Sequence, residues 1–170
     1  MRDLQNMPGD FRRKHAQIEQ LVKKLPKFVA GAAEKMKDAN FSAQGFISNG
    51  SATKWPKRKK ETAKTAGKRI LHQTGLLQNS VKAHPLADHV RVGVDLGKVP
   101  YAKIHNEGGN VVQHIKPHHR KHPKSGKRYQ VKAFARKVRY PQRKYLGFSP
   151  DIIKATDREL KYQLDKIMKS

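Results

Sequence analysis

The chain has 170 residues, a length that fits a single domain. It contains no Cys, which excludes disulfides and cysteine-based metal sites, and no run of about 18 apolar residues that could cross a membrane. Its 38 Lys and Arg outnumber 13 Asp and Glu, so the formal net charge is +25. Such a charge opposes a compact state unless counterions or a polyanion screen it, which favours nucleic acid or an acidic protein surface as a partner. The N-terminus lacks the apolar stretch of a signal peptide, so we expect synthesis in the cytoplasm.

Residues 10–39 carry apolar side chains at helical spacing, which predicts a long N-terminal helical region. This apolar stripe consists of Ile18, Leu21, Val22, Leu25, Val29, Ala32, Ala33 and Met36. Asp10 is predicted as the N-cap, and Pro26 predicts either a kink or two abutting helices. Residues 40–56 are rich in Gly, Ser and Asn, and their aromatic side chains, including Trp55, predict a loop that docks onto the core.

Residues 76–110 predict a sheet and a short helix. The stretch VRVGVD alternates valine with other residues, as a half-buried strand does, and the turn before it predicts a hairpin. A basic segment upstream, KRKKETAKTAGKR, is compatible with a helix. The stretch YAKIHNEGG predicts a helix that ends at Gly108, with Tyr101 and Ile104 packed inward.

A basic insertion follows at residues 111–139. Between residues 111 and 144 the chain has twelve Lys and Arg, four His and no carboxylate. VVQHIKP and RYQVKAFARKVRYP are predicted to pair as strands around the tip HHRKHPKSGK, which its dense like charge should keep mobile. We expect contact with a polyanion, without sequence specificity, through the cationic residues Lys116, Arg120, Lys121, Lys124, Lys127, Arg128, Lys132, Arg136, Lys137 and Arg139.

A C-terminal helix is predicted at residues 149–168. Ser149 can cap it, and Pro150 suits the first helical position. Its predicted apolar face consists of Ile153, Leu160, Leu164 and Ile167. The elements together predict an α+β fold: a small antiparallel sheet, a long N-terminal helical region, a C-terminal helix and a protruding basic hairpin or loop.

Metal binding is the first chemistry to consider, because five histidines cluster in the sequence: His105, His114, His118, His119 and His122. Neutral imidazoles at such spacing can bind zinc. The surrounding Lys and Arg would repel a divalent cation, and the nearest acid is Glu107. We therefore predict no metal and no other cofactor.

Phosphodiester hydrolysis is the second chemistry to consider, because His105, Asn106 and Glu107 are adjacent in a basic chain. Metal-dependent nucleases need several carboxylates that converge on the ions, whereas the thirteen acids are scattered along this sequence. We predict no catalytic residue. A nuclease and a sequence-independent nucleic-acid-binding protein remain the alternatives.

The order of the motifs adds a resemblance. A helical N-terminal region, NFSAQGFISNGSATKWP, ILHQTGLLQNSV, VRVGVD, PYAKIHNEGG and PQRKYLGFSPDI follow one another over roughly residues 10–168. In this order the chain resembles the phage virion morphogenesis family, the tail-completion proteins of tailed phages. The family pattern falls on Trp55, Leu71, Thr74, Gly75, Leu77, Tyr101, Ala102, His105, Gly108, Pro141, Arg143, Leu146 and Gly147.

The resemblance implies a structural role at the head–tail junction or tail end, in the tail or neck of a virion made in the host cytoplasm. The expected partners are further copies of the chain in a ring, with sixfold symmetry to match a sixfold tail tube, and tail tube, sheath or head-connector proteins. Contact with the DNA backbone is a further expectation, and no membrane is expected. Residues 111–139 depart from the family pattern, because they are longer and more basic.

Overall fold

The fold comes from a computed structural model, which describes residues 8–63 and 65–170. Its first element is helix α1 (Gly9–Ala43), whose 35 residues span about 50 Å. The helix runs through Pro26, so two abutting helices were the wrong alternative. The predicted cap was also wrong: Pro8 is the N-cap, and Asp10 lies in the first turn, 2.8 Å from Arg13. A carboxylate in that turn favours the helix because it faces the positive end of the dipole.

Residues 40–56 are not a loop, which corrects the sequence prediction. Residues 40–43 complete α1, and strands β1 (Gly45–Ser48) and β2 (Ser51–Lys54) form an antiparallel hairpin. Asn49 and Gly50 both have positive φ, at 52° and 76°, as the tight two-residue turn of a hairpin requires. Half of the Gly and Asn content that suggested a loop, namely Asn49 and Gly50, therefore belongs to this turn.

The next described residues, 57–63 and 65–75, form turns and irregular chain rather than the helix considered for this basic segment. Helix α2 (Leu76–Ser80) then leads into strands β3 (Val81–Pro85) and β4 (Val90–Val94), which pair as the predicted hairpin. Helix α3 (Ala102–Glu107) follows and ends at Gly108, as predicted.

Residues 109–140, called here the basic arm, form two successive antiparallel ladders. Strand β5 (Gly109–Ile115) pairs with β8 (Phe134–Tyr140), and β6 (His118–Lys121) pairs with β7 (Arg128–Val131). These strands contact chiefly one another rather than the helices. The stretch predicted as a mobile tip thus includes strand β6, because the pairing continues further out than the sequence indicated.

Helix α4 (Pro150–Lys169) packs antiparallel on α1. Its start is as predicted, because Ser149 Oγ accepts a hydrogen bond from the Asp151 amide at 3.3 Å. The predicted apolar face was wrong at Ile153, which is 51% exposed. Among the residues that the structure describes, no helix combines the length and the apolar character of a bilayer span.

The α+β class and the antiparallel pairing agree with the prediction, but the strands form four separate two-stranded ladders instead of one sheet. Two-stranded ladders bury little by themselves, so the core depends on side chains from the helices and connecting segments. That core consists of Phe41, Trp55, Leu77, Val81, Val99, Ala102 and Tyr145.

Candidate functional site

Three of the motif segments meet at one place, which we call the motif node: residues 55–57, helix α3 and residues 141–147. The Asn106 side chain joins two of them, because its Oδ1 accepts hydrogen bonds from the amides of Tyr145 and Leu146, both at 3.0 Å. The Arg143 amide donates to the His105 carbonyl at 2.8 Å. Helix α3 is therefore fixed to a segment almost forty residues further along the chain.

Arg143 joins the third segment to the node. Its side chain is largely buried, with 7% of the residue exposed. Nε donates to the Pro56 carbonyl at 3.0 Å, and one terminal nitrogen donates to the Lys57 carbonyl at 3.3 Å. Burial first, and then the charge of Arg58, lower the pKa of Arg143 from its ordinary value.

The aromatic residues of the node combine packing with hydrogen bonding. Trp55 Nε1 donates to the Lys144 carbonyl at 2.7 Å, and the Tyr145 hydroxyl donates to the Ala102 carbonyl at 3.0 Å. Both rings pack on Phe41, with centroid distances of 5.4 and 5.6 Å. Burial, followed by the charge of Glu107, raises the pKa of Tyr145 to about 12, so its hydroxyl keeps its proton and remains a donor.

Sequence reasoning missed three residues that hold this node together: Asn40 of α1, which contacts it, and Asn106 and Tyr145 within it. Asn40 is 2% exposed; its Nδ2 donates to the Tyr145 carbonyl at 3.2 Å and its Oδ1 accepts from the Ile47 amide at 2.8 Å. The only sequence signal for these residues was that Asn106 and Tyr145 stand inside the quoted motifs. Asn40, a polar residue near the end of α1, gave no signal of its own.

His105 lies half-buried at the edge of the node. Its ring makes edge contacts with Tyr101 and Tyr140, at centroid distances of 5.9 and 5.6 Å, and its Nδ1 is buried without a hydrogen-bond partner. Burial first, and then the charge of Arg143, lower the pKa of His105, which keeps the imidazole neutral at pH 7. Within residues 8–63 and 65–170, no three His, Asp or Glu side chains are placed to hold a metal ion.

The glycines of the family pattern have different roles. Gly108 has φ of 72°, and a Cβ there would lie 2.8 Å from the Gln142 backbone nitrogen, so only glycine fits. Gly75, with φ of 76°, is the N-cap residue of α2. Gly147 is exposed, and a Cβ there would press on the flexible Lys144 side chain.

The other pattern residues lie in the core or at its edge. Leu77 is buried and Leu146 packs against the core cluster, whereas Thr74 is exposed. Tyr101 was predicted to pack inward, which is wrong, since it is 41% exposed at the edge of a cavity. The pattern therefore marks mainly residues that hold the fold together.

The basic arm presents all ten cationic residues of the sequence prediction to solvent. No acid lies between Glu107 and Asp151 in the sequence, and none of the ion pairs among the described residues involves the arm. Each Lys and Arg of the arm therefore adds to a positive electrostatic potential that no acidic residue of the arm offsets.

The strand register divides the β5–β8 ladder into two unlike faces, because opposed residues point to the same side. The cationic face carries Asn110, Val112, His114, Ala135, Lys137 and Arg139, all exposed. The apolar face carries Val111, Gln113, Ile115, Phe134, Arg136, Val138 and Tyr140. Its single charge, Arg136, donates two hydrogen bonds to Gln113 Oε1, at 3.1 and 3.0 Å.

A second apolar surface lies on the body of the molecule. A groove of about 400 Å³ runs between α1, β4 and the start of α4. Its apolar lining includes Ala33, Met36, Val92, Leu146, Phe148 and Ile153. Phe148 is 71% exposed at this groove, a large aromatic surface left in water.

Comparison with known proteins gives the family. A family model described as the phage virion morphogenesis family matches residues 3–164. Neither the curated proteins nor the solved structures include a significant match. Since the family model covers nearly the whole sequence, the chain belongs to the phage virion morphogenesis family.

Proposed function

We propose that the protein is a structural, non-enzymatic component of the phage particle that completes or terminates the tail and joins it to the head. In this proposal copies of the chain form a ring around the DNA channel, and a sixfold ring would match a sixfold tail tube. The observation that carries the proposal is the basic arm: a paired extension of a small core, with exposed cations and no acid.

The motif node supports a structural role. Asn106 and Arg143 direct their hydrogen-bonding groups at backbone atoms of the same chain. A catalytic base is normally oriented by a hydrogen bond to its second ring nitrogen, whereas His105 packs edge-on against Tyr101 and Tyr140 and its buried Nδ1 has no partner. These residues therefore account for the stability of the fold without any reaction.

The two faces of the arm support contact with a second copy on one side and with DNA on the other. Most of the apolar face can be buried at low cost, provided that its one charge, Arg136, stays hydrated at the rim of the contact, because Gln113 offers it a hydrogen bond but no counter-charge. The cationic face cannot be buried against another chain of net charge +25 without strong repulsion, but it suits the phosphates of DNA in a channel.

The groove between α1 and α4 provides the complementary surface. A ring needs two different patches that meet head to tail, and the apolar face and the groove are two such patches on one chain. We therefore propose that the arm of one subunit packs on the groove of the next. The tail tube, the sheath or a head connector would contact the outer surfaces of this ring.

Native mass spectrometry and negative-stain electron microscopy of the purified protein test the ring. The proposal predicts a closed ring, and replacement of Phe134 and Val138 by Ser should yield folded monomers. Matched replacement of Val112 and Ala135 by Ser, on the cationic face, should leave the ring intact. Folded monomers of the unsubstituted chain in assembled particles would contradict the proposal.

The second candidate function is binding of nucleic acid without sequence preference, and the charge of the arm favours it. Such binding weakens steeply as salt rises and does not depend on base sequence. Retention of duplex DNA that persists in a ring-deficient variant would favour this function. Absence of DNA binding even at low salt would favour a protein-only contact for the arm.

A further inference from the structure

A second cavity lies between residues 65–77 and the start of helix α3, with Arg143 in its lining. Its volume is about 320 Å³, and it is partly open to solvent. The polar residues that line it include Arg58, His72, Thr74, Tyr101, His105 and Arg143. No carboxylate belongs to the lining among the described residues.

The arginines in this cavity lack counter-charges. Arg143 is 7% exposed, yet its hydrogen-bond acceptors are the carbonyls of Pro56 and Lys57. Arg58 likewise donates to the carbonyls of Lys68 at 2.7 Å and Arg69 at 2.6 Å. Neither guanidinium takes part in an ion pair within the described part of the chain.

This arrangement is unfavourable without an anion. Buried charges in proteins are normally paired, since removal from water costs several kcal/mol that a partner must offset. Of the two guanidiniums only that of Arg143 is buried, and the like charge of half-buried Arg58 acts with burial to lower the pKa of Arg143. His105 also lines this cavity, and its buried Nδ1 has no hydrogen-bond partner.

We propose that this cavity is a binding site for a phosphate-class oxyanion. The guanidinium groups of Arg58 and Arg143 would supply the charge, and the hydroxyls of Thr74 and Tyr101 would supply neutral donors. The volume leaves room for bound water or for a group attached to the phosphate. The site is separate from the basic arm, and it does not depend on ring formation.

Isothermal titration of the full chain with inorganic phosphate tests the site, at constant ionic strength set with sodium chloride. One saturable site per chain is expected. Arg58→Gln should weaken binding about tenfold or more, because a charged donor is lost. Lys137→Gln, which removes the same charge from the cationic face of the arm, should leave binding unchanged.

Two further measurements cover the case in which Arg58→Gln does not fold and distinguish free phosphate from a nucleotide phosphate as the ligand. Should Arg58→Gln fail to fold, the double variant Thr74→Val, Tyr101→Phe removes two neutral donors and should still weaken phosphate binding several-fold. Titration with deoxyadenosine monophosphate distinguishes sources: tighter binding than phosphate indicates a terminal nucleotide phosphate, and weaker binding indicates the free anion. Non-saturable heats, or equal losses in Arg58→Gln and Lys137→Gln, would overturn the proposal.

Discussion

Replacement of Asn106 by Ala tests the motif node most sharply, since one side-chain oxygen satisfies two backbone amides. The change leaves the amides of Tyr145 and Leu146 without their acceptor in a part-buried position. A lost hydrogen bond costs about 1 kcal/mol net, and an unsatisfied buried group costs about 1–3 kcal/mol. Two losses of about 1–3 kcal/mol each, less about 0.5 kcal/mol for the better helix propensity of Ala, predict a destabilisation of about 1.5–5.5 kcal/mol.

Urea unfolding followed by circular dichroism measures this loss as a lower midpoint at unchanged m-value. Asn106→Asp is the matched control, because it keeps an acceptor oxygen and should lose clearly less stability than Asn106→Ala. Asn110→Ala, on the exposed face of the arm, should change the free energy of unfolding by less than about 0.5 kcal/mol. The reasoning is refuted if Asn106→Ala is no more destabilising than Asn110→Ala.

Three further predictions follow from the node and the arm. Gly108→Ala should lower the free energy of unfolding by about 1–3 kcal/mol, because the new Cβ would collide with the Gln142 backbone at a residue of positive φ. Gly31→Ala, in open space on α1, should instead raise it by about 0.5–1 kcal/mol, and thermal unfolding compares the two variants. Burial holds the pKa of His105 below its ordinary 6.5, so the unfolded chain takes up a proton at this residue before the folded chain does. The free energy of unfolding should therefore be full above pH 6.5 and fall as the pH drops below it. The urea midpoint of His105→Phe should fall less over the same pH range than that of the unsubstituted chain. Charge reversal of Lys124, Lys127 and Arg128 on the arm should weaken DNA retention in a filter-binding assay and flatten its salt dependence, while the unfolding midpoint stays unchanged. Unchanged DNA retention would contradict a role of these three residues in DNA binding.

Local signals were enough to predict much of the fold. The apolar stripe of α1 predicted a long helix, and Ser149 with Pro150 marked the start of α4. Gly108 marked the end of α3 because a residue with positive φ stops a helix. These features depend on neighbours within a few residues, so one sequence contains them.

The hairpin β1–β2 was missed although its signal was also local. The Asn49–Gly50 pair is a strong hairpin-turn signal, but the Gly, Ser and Asn around it gave the segment the composition of a loop. The turn residues fixed the structure here, whereas average composition misled. The tip of the arm was misjudged for a similar reason, since charge density says little about strand pairing.

Long-range contacts account for what the sequence could not predict at the candidate site. Asn40 binds Tyr145, more than a hundred residues away, and nothing near Asn40 in the sequence indicates that partner. The two faces of the arm depend on the β5–β8 register, which shifts every side chain to the other face if it slips by one residue. The cavity at Arg143 likewise needs α3 and residues 65–77 in place.

Electron microscopy of intact particles, with this chain tagged or antibody-labelled, tests the central claim most directly. The proposal predicts a ring of copies where tail and head meet, with the cationic faces of the arms turned toward the DNA channel. Particles that lack the chain, or that carry it as isolated single copies away from this junction, would contradict the claim.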